Sequence, residues 1–324
     1  MYRPDELRGL NVMMPAFAKE GATDLDAVDT VDVDKLADAV DRIIKDGADV
    51  ISTTGSYGEF HTLLWDEFQT LVTTTLDVVN KRVPVFVGIT SLNGREVVRK
   101  AKFVREVGGE GIFTGVPFYY PSTVNNCIRF YHDIAERFPD LSIQIYHNPA
   151  LHRIHIPVAA FERITEHSNI VSMKETTARW PLEFARLMDV IRGKISVFVT
   201  QNQYFPYALV GARGFWSTSA FMGPWPLLRL RDAVDAGDFE TAQAVLRDIA
   251  PNAGGAPEGT EATDMARKLA CKYAGYADLG PNRSPFMEVS PESLERAIKQ
   301  AKRWKALCEK YRPEVESRAA VAAR

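Results

Sequence analysis

The sequence predicts an α/β fold, a (β/α)8 TIM barrel with a C-terminal helical extension. Three observations predict it. Short apolar runs alternate with amphipathic segments, and about eight such β-then-α units precede residue 240. Several of the runs are nearly continuous in apolar or β-branched residues, as strands buried on both faces of a parallel sheet are. The length of 324 residues suits one barrel plus an appendage as well as two ordinary domains. The strand tally favours a barrel catalytic domain over 1–240 and a helical extension over 241–324.

Taken in order, the first apolar run is 12–14. Leu36, Ala39, Val40, Ile43 and Ile44 then recur at helical spacing, and Gly47 stands where a C-terminal glycine cap belongs. A second run, 50–52, is followed by the stripe Phe68, Leu71, Val72, Thr75, Leu76 and Val79. Run 85–89 leads into a segment stopped by Gly108, and run 111–114 precedes the stripe Ile128, Tyr131, Ile134 and Phe138. Runs 143–146, 170–173, 195–200 and 214–217 complete the set. Beyond 240, Leu294, Ala297, Ile298, Ala301, Trp304 and Cys308 mark a long helix, 251–259 reads as a loop, and the Ala-rich 317–324 reads as a frayed tail.

Composition excludes several functions. Thirty-nine Lys+Arg against 42 Asp+Glu leave a net charge of -3, without the basic excess expected for nucleic acid. No apolar run is long enough to span a membrane, and the charged N-terminus lacks a secretory apolar core. Cys127, Cys271 and Cys308 are odd in number and far apart, against a disulfide framework or a zinc site. A reduced, cytoplasmic protein acting on a small molecule is the expectation. The Gly-rich phosphate loop, the dinucleotide fingerprint and the Gly-x-Ser-x-Gly elbow are all missing from the sequence.

In a barrel of this type, chemistry belongs to the C-terminal strand ends. Lys174 ends the apolar run Asn-Ile-Val-Ser-Met. Buried there, its ammonium is disfavoured, and a free amine can condense with a ketone to a Schiff base. The plainer reading is a lysine just emerging from the strand, paired with Glu175. Tyr146, at the preceding strand end, is either a proton shuttle or an aromatic plug. The loop Gly55-Ser56-Tyr57-Gly58-Glu59 could seat a carboxylate on its hydroxyls and N–H groups, its glycines allowing close approach and positive φ, or it is an ordinary turn. Glu59 reads as a loop-ordering acid. His147, His152 and His155 cluster after strand five without a metal-site spacing, so no metal is assigned. A metal-dependent aldolase or hydrolase built on them is the rival of a different class, and a non-catalytic pyruvate-binding barrel is another.

Four motifs in order carry a resemblance to the N-acetylneuraminate lyase / dihydrodipicolinate synthase family of class I aldolases. They are Gly55-Ser56-Tyr57-Gly58-Glu59, Val116-Pro117-Phe118-Tyr119-Tyr120, Tyr146 in Ile-Tyr-His-Asn-Pro, and Lys174 in Val-Ser-Met-Lys-Glu-Thr-Thr. The resemblance runs over about residues 10–310. It implies a Schiff base on Lys174, no other cofactor, Tyr146 as proton shuttle and Tyr119 in support, from its own or a neighbouring subunit. It also implies a homo-oligomer, commonly a tetramer.

Two departures narrow the reading. The arginine of the synthase branch is replaced by Leu151, and Tyr57 replaces a hydroxyl residue of its Gly-Thr-Thr-Gly-Glu loop. The mouth carries Phe118, Tyr119, Tyr120, Trp216 and Phe221, which suit a flat aromatic 2-oxo acid better than a polyol. Thr-Leu-Leu-Trp-Asp-Glu over 62–67, Asn148, and Phe215-Trp216-Ser217-Thr218-Ser219 look most like the hydratase-aldolases of polycyclic-aromatic degradation, including the phenanthrene pathway. The expected substrate is trans-2'-carboxybenzalpyruvate, with water and the aryl group positioned by Asn148 and Trp216, Ser217 among the substrate-binding residues, and the ortho carboxylate met by Asn282 and Arg283. The alternatives are trans-o-hydroxybenzylidenepyruvate, which would yield salicylaldehyde and pyruvate, and a sugar acid.

Overall fold

The computed structural model describes residues 1–177, 180–250 and 264–322. Eight parallel strands close into a barrel in sequence order. They are β1 (Gly9–Met13), β2 (Val50–Thr53), β3 (Val85–Gly88), β4 (Gly111–Thr114), β5 (Ser142–His147), β6 (Ile170–Glu175), β7 (Ser196–Thr200) and β8 (Gly214–Ser217). β1 reaches back to Gly9 because Gly9 and Leu10 pair with Gly214 and Phe215 of β8, which closes the cylinder. β6 continues past residue 173, so Lys174 stands inside the strand rather than after it.

The helices wrapped around the barrel are α1 (Val33–Lys45), α2 (Trp65–Val79), α3 (Gly94–Glu106), α4 (Val124–Arg137), α5 (Pro149–His152), α6 (Ala160–Ile164), α7 (Pro181–Ile191) and α8 (Tyr204–Ala208). Their starts and stops follow local chemistry. Asp32, Asn93 and Thr123 accept hydrogen bonds from backbone N–H groups three residues on, capping α1, α3 and α4. Gly47 and Gly108 have φ of 112° and 82°, the left-handed region a glycine cap supplies. The inward stripes of α1, α2 and α4 bury the leucines, isoleucines and aromatics expected of them. Each such large side chain contributes about 1.5–3 kcal/mol of transfer free energy.

A second, smaller apolar cluster takes one residue from each of six successive strands: Val50, Phe86, Phe113, Tyr146, Val171 and Phe198, with Leu7. These fill the barrel interior. Tyr2 and Leu7 plug its N-terminal end: the Tyr2 hydroxyl accepts from Val85 N–H at 3.0 Å, and Ser196 Oγ donates to Leu7 O at 2.6 Å. The opposite end is left for a site.

The β5–β6 pair is irregular. Ile143 pairs with Ile170, but Gln144 pairs with Ser172, so Val171 is skipped. This bulge changes which way β6 faces. Ile170 and Met173, three residues apart, both lie in the core outside the barrel, and Val171 lies in the interior cluster. Beyond the bulge Tyr146 pairs with Lys174 and His147 with Glu175.

Past β8 come α9 (Trp225–Asp235), α10 (Phe239–Ile249), α11 (Asp264–Ala274) and α12 (Pro291–Ala322). α12 packs on α9 and α11, and its buried Trp304 donates from Nε1 to Gly223 O at 2.8 Å. The expected loop at 251–259 lies outside the described residues. The Ala-rich tail is helical as far as Ala322, in keeping with the helix propensity of alanine. Among the described residues no helix is long and apolar enough to cross a membrane.

Candidate active site

Lys174 and Tyr146 face each other across neighbouring strands at the open end of the barrel. Lys174 Nζ lies 4.2 Å from the centre of the Tyr146 ring and 4.3 Å from that of Trp216. The lysine is buried, and that burial pushes its ammonium below the usual lysine range, although the Tyr146 oxygen partly opposes the shift. Burial alone would raise the Tyr146 phenol. The Lys174 charge and hydrogen bonds from Ser56 and Asn148 outweigh it and hold the phenol below its ordinary value. An amine that gives up its proton readily thus stands beside a phenol poised to exchange one.

Tyr146 is held on every side. Its oxygen lies 3.2 Å from Ser56 Oγ and accepts from Asn148 Nδ2 at 3.2 Å. Asn148 is also the N-cap of α5, so a single residue starts the helix and touches the phenol. Phe113 and His152 pack edge-on to the Tyr146 ring, centres 5.6 and 4.8 Å away. Burial, with His147 and Lys174 adding to it, pushes His152 down to about 3, so its imidazole is neutral. Trp216 donates from Nε1 to Glu175 O at 3.1 Å, which fixes its ring beside Lys174.

The loop after β2 differs from expectation in one respect. Its left-handed residues are Thr54 and Glu59, both at φ 52°, and not the glycines. The glycines are needed for space: a Cβ on Gly58 would lie 2.8 Å from Thr54 N, and one on Gly55 would lie 2.9 Å from Phe113. Glu59 tolerates its backbone conformation because its carboxylate is the centre of a buried ionic cluster. Lys268 of α11 donates to it, as do the backbone N–H and Nη1 of Arg283, at 3.1 and 3.0 Å. Arg283 Nε donates to Thr30 Oγ1 at 2.7 Å, and Thr30 in turn bonds to Glu67. The loop that carries Ser56 is thereby anchored to the C-terminal region, consistent with the loop-ordering role read for Glu59.

Five of the residues singled out from sequence therefore meet: Lys174, Tyr146, Ser56, Asn148 and Trp216. Others do not join them. The Tyr57 hydroxyl points to Cys271 Sγ of α11 at 3.5 Å, which leaves its backbone as the part available to a ligand. Ser217 Oγ donates to Gln201 Oε1 at 2.5 Å and accepts from Ser219 N–H. Tyr119 is 65% exposed, stacked edge-on against Tyr120, with its carbonyl held by Arg153. Asn282 lines a separate cavity of about 300 Å³ with His61, Phe286 and Glu288, whose walls include neither Lys174 nor Tyr146. Its Nδ2 donates to Phe286 O at 3.0 Å, and its Oδ1 has no hydrogen-bond partner among the described residues. Arg283, expected to meet a substrate carboxylate, is instead committed to Glu59.

The three histidines at and after the end of strand five do not share one centre. His147 binds Glu175 and Ile156 N–H, His155 packs edge-on to it with ring centres 5.6 Å apart and lies half exposed near Glu183, and His152 packs instead on Tyr146. Among the described residues no cluster of three or more His, Cys, Asp or Glu could hold a metal. Sequence reading overlooked Lys268 and Thr30, which lie outside the motifs, and it gave Glu67 no part in the cluster although Glu67 ends the 62–67 motif. It also gave His152 no place beside Tyr146, although the Asn-Pro helix start at 148–149 aims that turn back at the strand end.

Comparison with known proteins gives the family. Residues 18–303 match the Dihydrodipicolinate synthetase family. Trans-O-hydroxybenzylidenepyruvate hydratase-aldolase of Pseudomonas aeruginosa is 29% identical over 326 residues, covering 96% of each chain. Trans-2'-carboxybenzalpyruvate hydratase-aldolase of Nocardioides sp. (strain KP7) is 28% identical, covering 94% of this chain and 95% of that one. The structure of PhdJ bound to substrate intermediate superposes with a TM-score of 0.90 at 27% identity, covering 96% of this chain and 99% of that one. The fold and these relatives define a class I pyruvate aldolase or lyase. The chain belongs to the dihydrodipicolinate synthetase family.

Proposed function

We propose that this chain is a hydratase-aldolase that cleaves an aryl enone bearing a pyruvoyl group, through a Schiff base on Lys174. The observation that carries the proposal is the buried Lys174 amine between the Tyr146 and Trp216 rings. The indole supplies a flat apolar wall next to the nucleophile, suited to an aryl group and poorly suited to a polyol.

The substrate carboxylate rests on the Ser56 hydroxyl and the Ser56–Gly58 backbone. Lys174 attacks the ketone, and loss of water gives an iminium. That cation draws electrons through the conjugated double bond, so water adds at the carbon next to the ring. Tyr146 takes the hydroxyl proton as the carbon–carbon bond breaks, releasing the aromatic aldehyde and leaving a pyruvate enamine. Protonation of the enamine and hydrolysis of the resulting iminium free pyruvate and Lys174. Tyr119 acts from a neighbouring copy in a homo-oligomer, a role that its exposure in its own chain supports.

The leading substrate is trans-2'-carboxybenzalpyruvate, which gives 2-carboxybenzaldehyde and pyruvate. The alternative is trans-o-hydroxybenzylidenepyruvate, the substrate named for the Pseudomonas aeruginosa relative. Pyruvate release measured on both enones and on N-acetylneuraminate tests the proposal. Release from an enone and none from the sugar acid is expected; the reverse overturns it. The ratio of kcat/KM for the two enones assigns the ortho group.

A further inference from the structure

We propose that His147 and Glu175 form a clamp that holds the bulged register of β5 and β6, and so keeps Lys174 opposite Tyr146. The inference rests on the Schiff-base reading of Lys174. An unbroken ladder from Ile143↔Ile170 would set Tyr146 against Met173 and His147 against Lys174. A one-residue slip exchanges the faces of a strand, so in that register Lys174 would turn out of the barrel. Skipping Val171 prevents this, and the pair His147↔Glu175 exists only in the shifted register.

Both side chains are almost fully buried outside the barrel, where His147 packs edge-on to Phe161 of α6. Nδ1 of His147 lies 3.0 and 3.2 Å from the two Glu175 carboxylate oxygens, and Nε2 accepts from Ile156 N–H at 3.2 Å. That acceptor role places the ring proton on Nδ1, which donates to the carboxylate. One imidazole therefore ties the end of β6 to the returning end of segment 148–156. That segment carries Asn148, which touches the Tyr146 oxygen, and His152, which packs on its ring. On the other side the Glu175 carboxylate accepts from Thr177 N–H at 2.7 Å, its carbonyl holds Trp216, and Thr176 Oγ1 donates to His147 O at 2.8 Å. The residues surrounding the amine are all one or two steps from this pair.

His147→Phe keeps the ring packing and removes both hydrogen bonds. His147→Asn keeps an amide nitrogen near the place of Nδ1. Glu175→Leu breaks the same bond from the other side. Borohydride trapping with pyruvate counts working Lys174 sites across pH, and pyruvate release from the enone gives kcat and KM per trapped site. In His147→Phe, kcat per trapped site should fall about 10–100-fold, with KM within about threefold, as small misplacements of a nucleophile do. The trapping midpoint should move up toward that of a free lysine as water reaches the amine. His147→Asn should recover most of the loss, and His147→Phe with Glu175→Leu should lose clearly less than the sum of the two single losses, because the bond between the two side chains is removed in both. Wild-type kcat per trapped site with an unmoved midpoint in His147→Phe, or additive losses, overturns the clamp while leaving the Schiff base standing. Failure of wild type to trap on Lys174 overturns the Schiff-base reading, and the clamp with it.

Discussion

Replacing Glu59 by glutamine would leave two buried cations without their shared anion. The Lys268 and Arg283 side chains are only 1% and 5% exposed, and both donate to the Glu59 carboxylate. Removing one partner from such a buried pair costs about 3–5 kcal/mol. The lower end applies, because Lys268 keeps bonds to Ala16 O and Pro281 O and Arg283 stays 3.9 Å from Glu67. A loss of about 3 kcal/mol is a large share of a typical stability of about 5–15 kcal/mol. It should lower Tm by roughly 6 °C for a chain of this size.

Urea and thermal unfolding measure the effect, and Glu59→Gln with Lys268→Met should recover part of it by removing one stranded charge. The pH dependence supplies an independent check. Burial raises the Glu59 carboxyl, but Lys268 and Arg283 outweigh it and hold it below the ordinary value of 4.5. A depressed folded value means the stabilisation is present above about pH 4.5 and is lost as pH falls through the folded value. The gap between wild type and Glu59→Gln should therefore narrow on acidification below about pH 4.5. A Glu59→Gln protein within about 0.5 kcal/mol of wild type at neutral pH, or a gap that does not narrow in acid, would refute the ionic cluster as the anchor of this loop.

Three further outcomes follow from the same geometry. Ser56→Ala removes one hydrogen bond to the Tyr146 oxygen, and kcat should fall about three- to tenfold while Tm stays unchanged, read from pyruvate release and thermal melts. Trp216→Ala opens Lys174 to water, so the pH midpoint of borohydride trapping should rise, with about tenfold slower trapping at neutral pH for each unit of rise; an unmoved midpoint would mean Trp216 does not desolvate the amine. In Gly88→Ala the new Cβ would lie 2.3 Å from Thr54 O, so the β2 loop must shift. Stability should drop by about 1–3 kcal/mol in urea melts, with a fall in kcat, and neither change is expected if the loop is free to move.

The barrel was legible because its signal is local. Each strand is a short apolar run, each helix a periodic stripe, and Gly47 and Gly108 mark two stops. Lys174 and Tyr146 stood out because a lysine and a phenol end buried strands. The fine geometry was less accessible, because it depends on pairs distant in sequence. Val171 gives no sign that it is skipped; only its pairing with β5 shows that Lys174, rather than Met173, faces Tyr146. Glu59 meets Lys268 across 209 residues, so its ordering role was visible but its partner was not. The left-handed positions fell on Thr54 and Glu59 because bonds from Thr54 Oγ1 to Gly88 O and from Lys268 and Arg283 to Glu59 compensate a conformation that local preference would give to glycine. Asn282 was assigned to a substrate carboxylate from its residue type alone, whereas its amide nitrogen is spent on Phe286 O.

The central claim is that Lys174 condenses with the ketone. Wild-type protein treated with pyruvate and borohydride, digested and read by mass spectrometry should carry about one reduced pyruvate adduct per chain, on Lys174, and Lys174→Ala should carry none and release no pyruvate from either enone. An unmodified Lys174 together with an active Lys174→Ala variant would contradict the account.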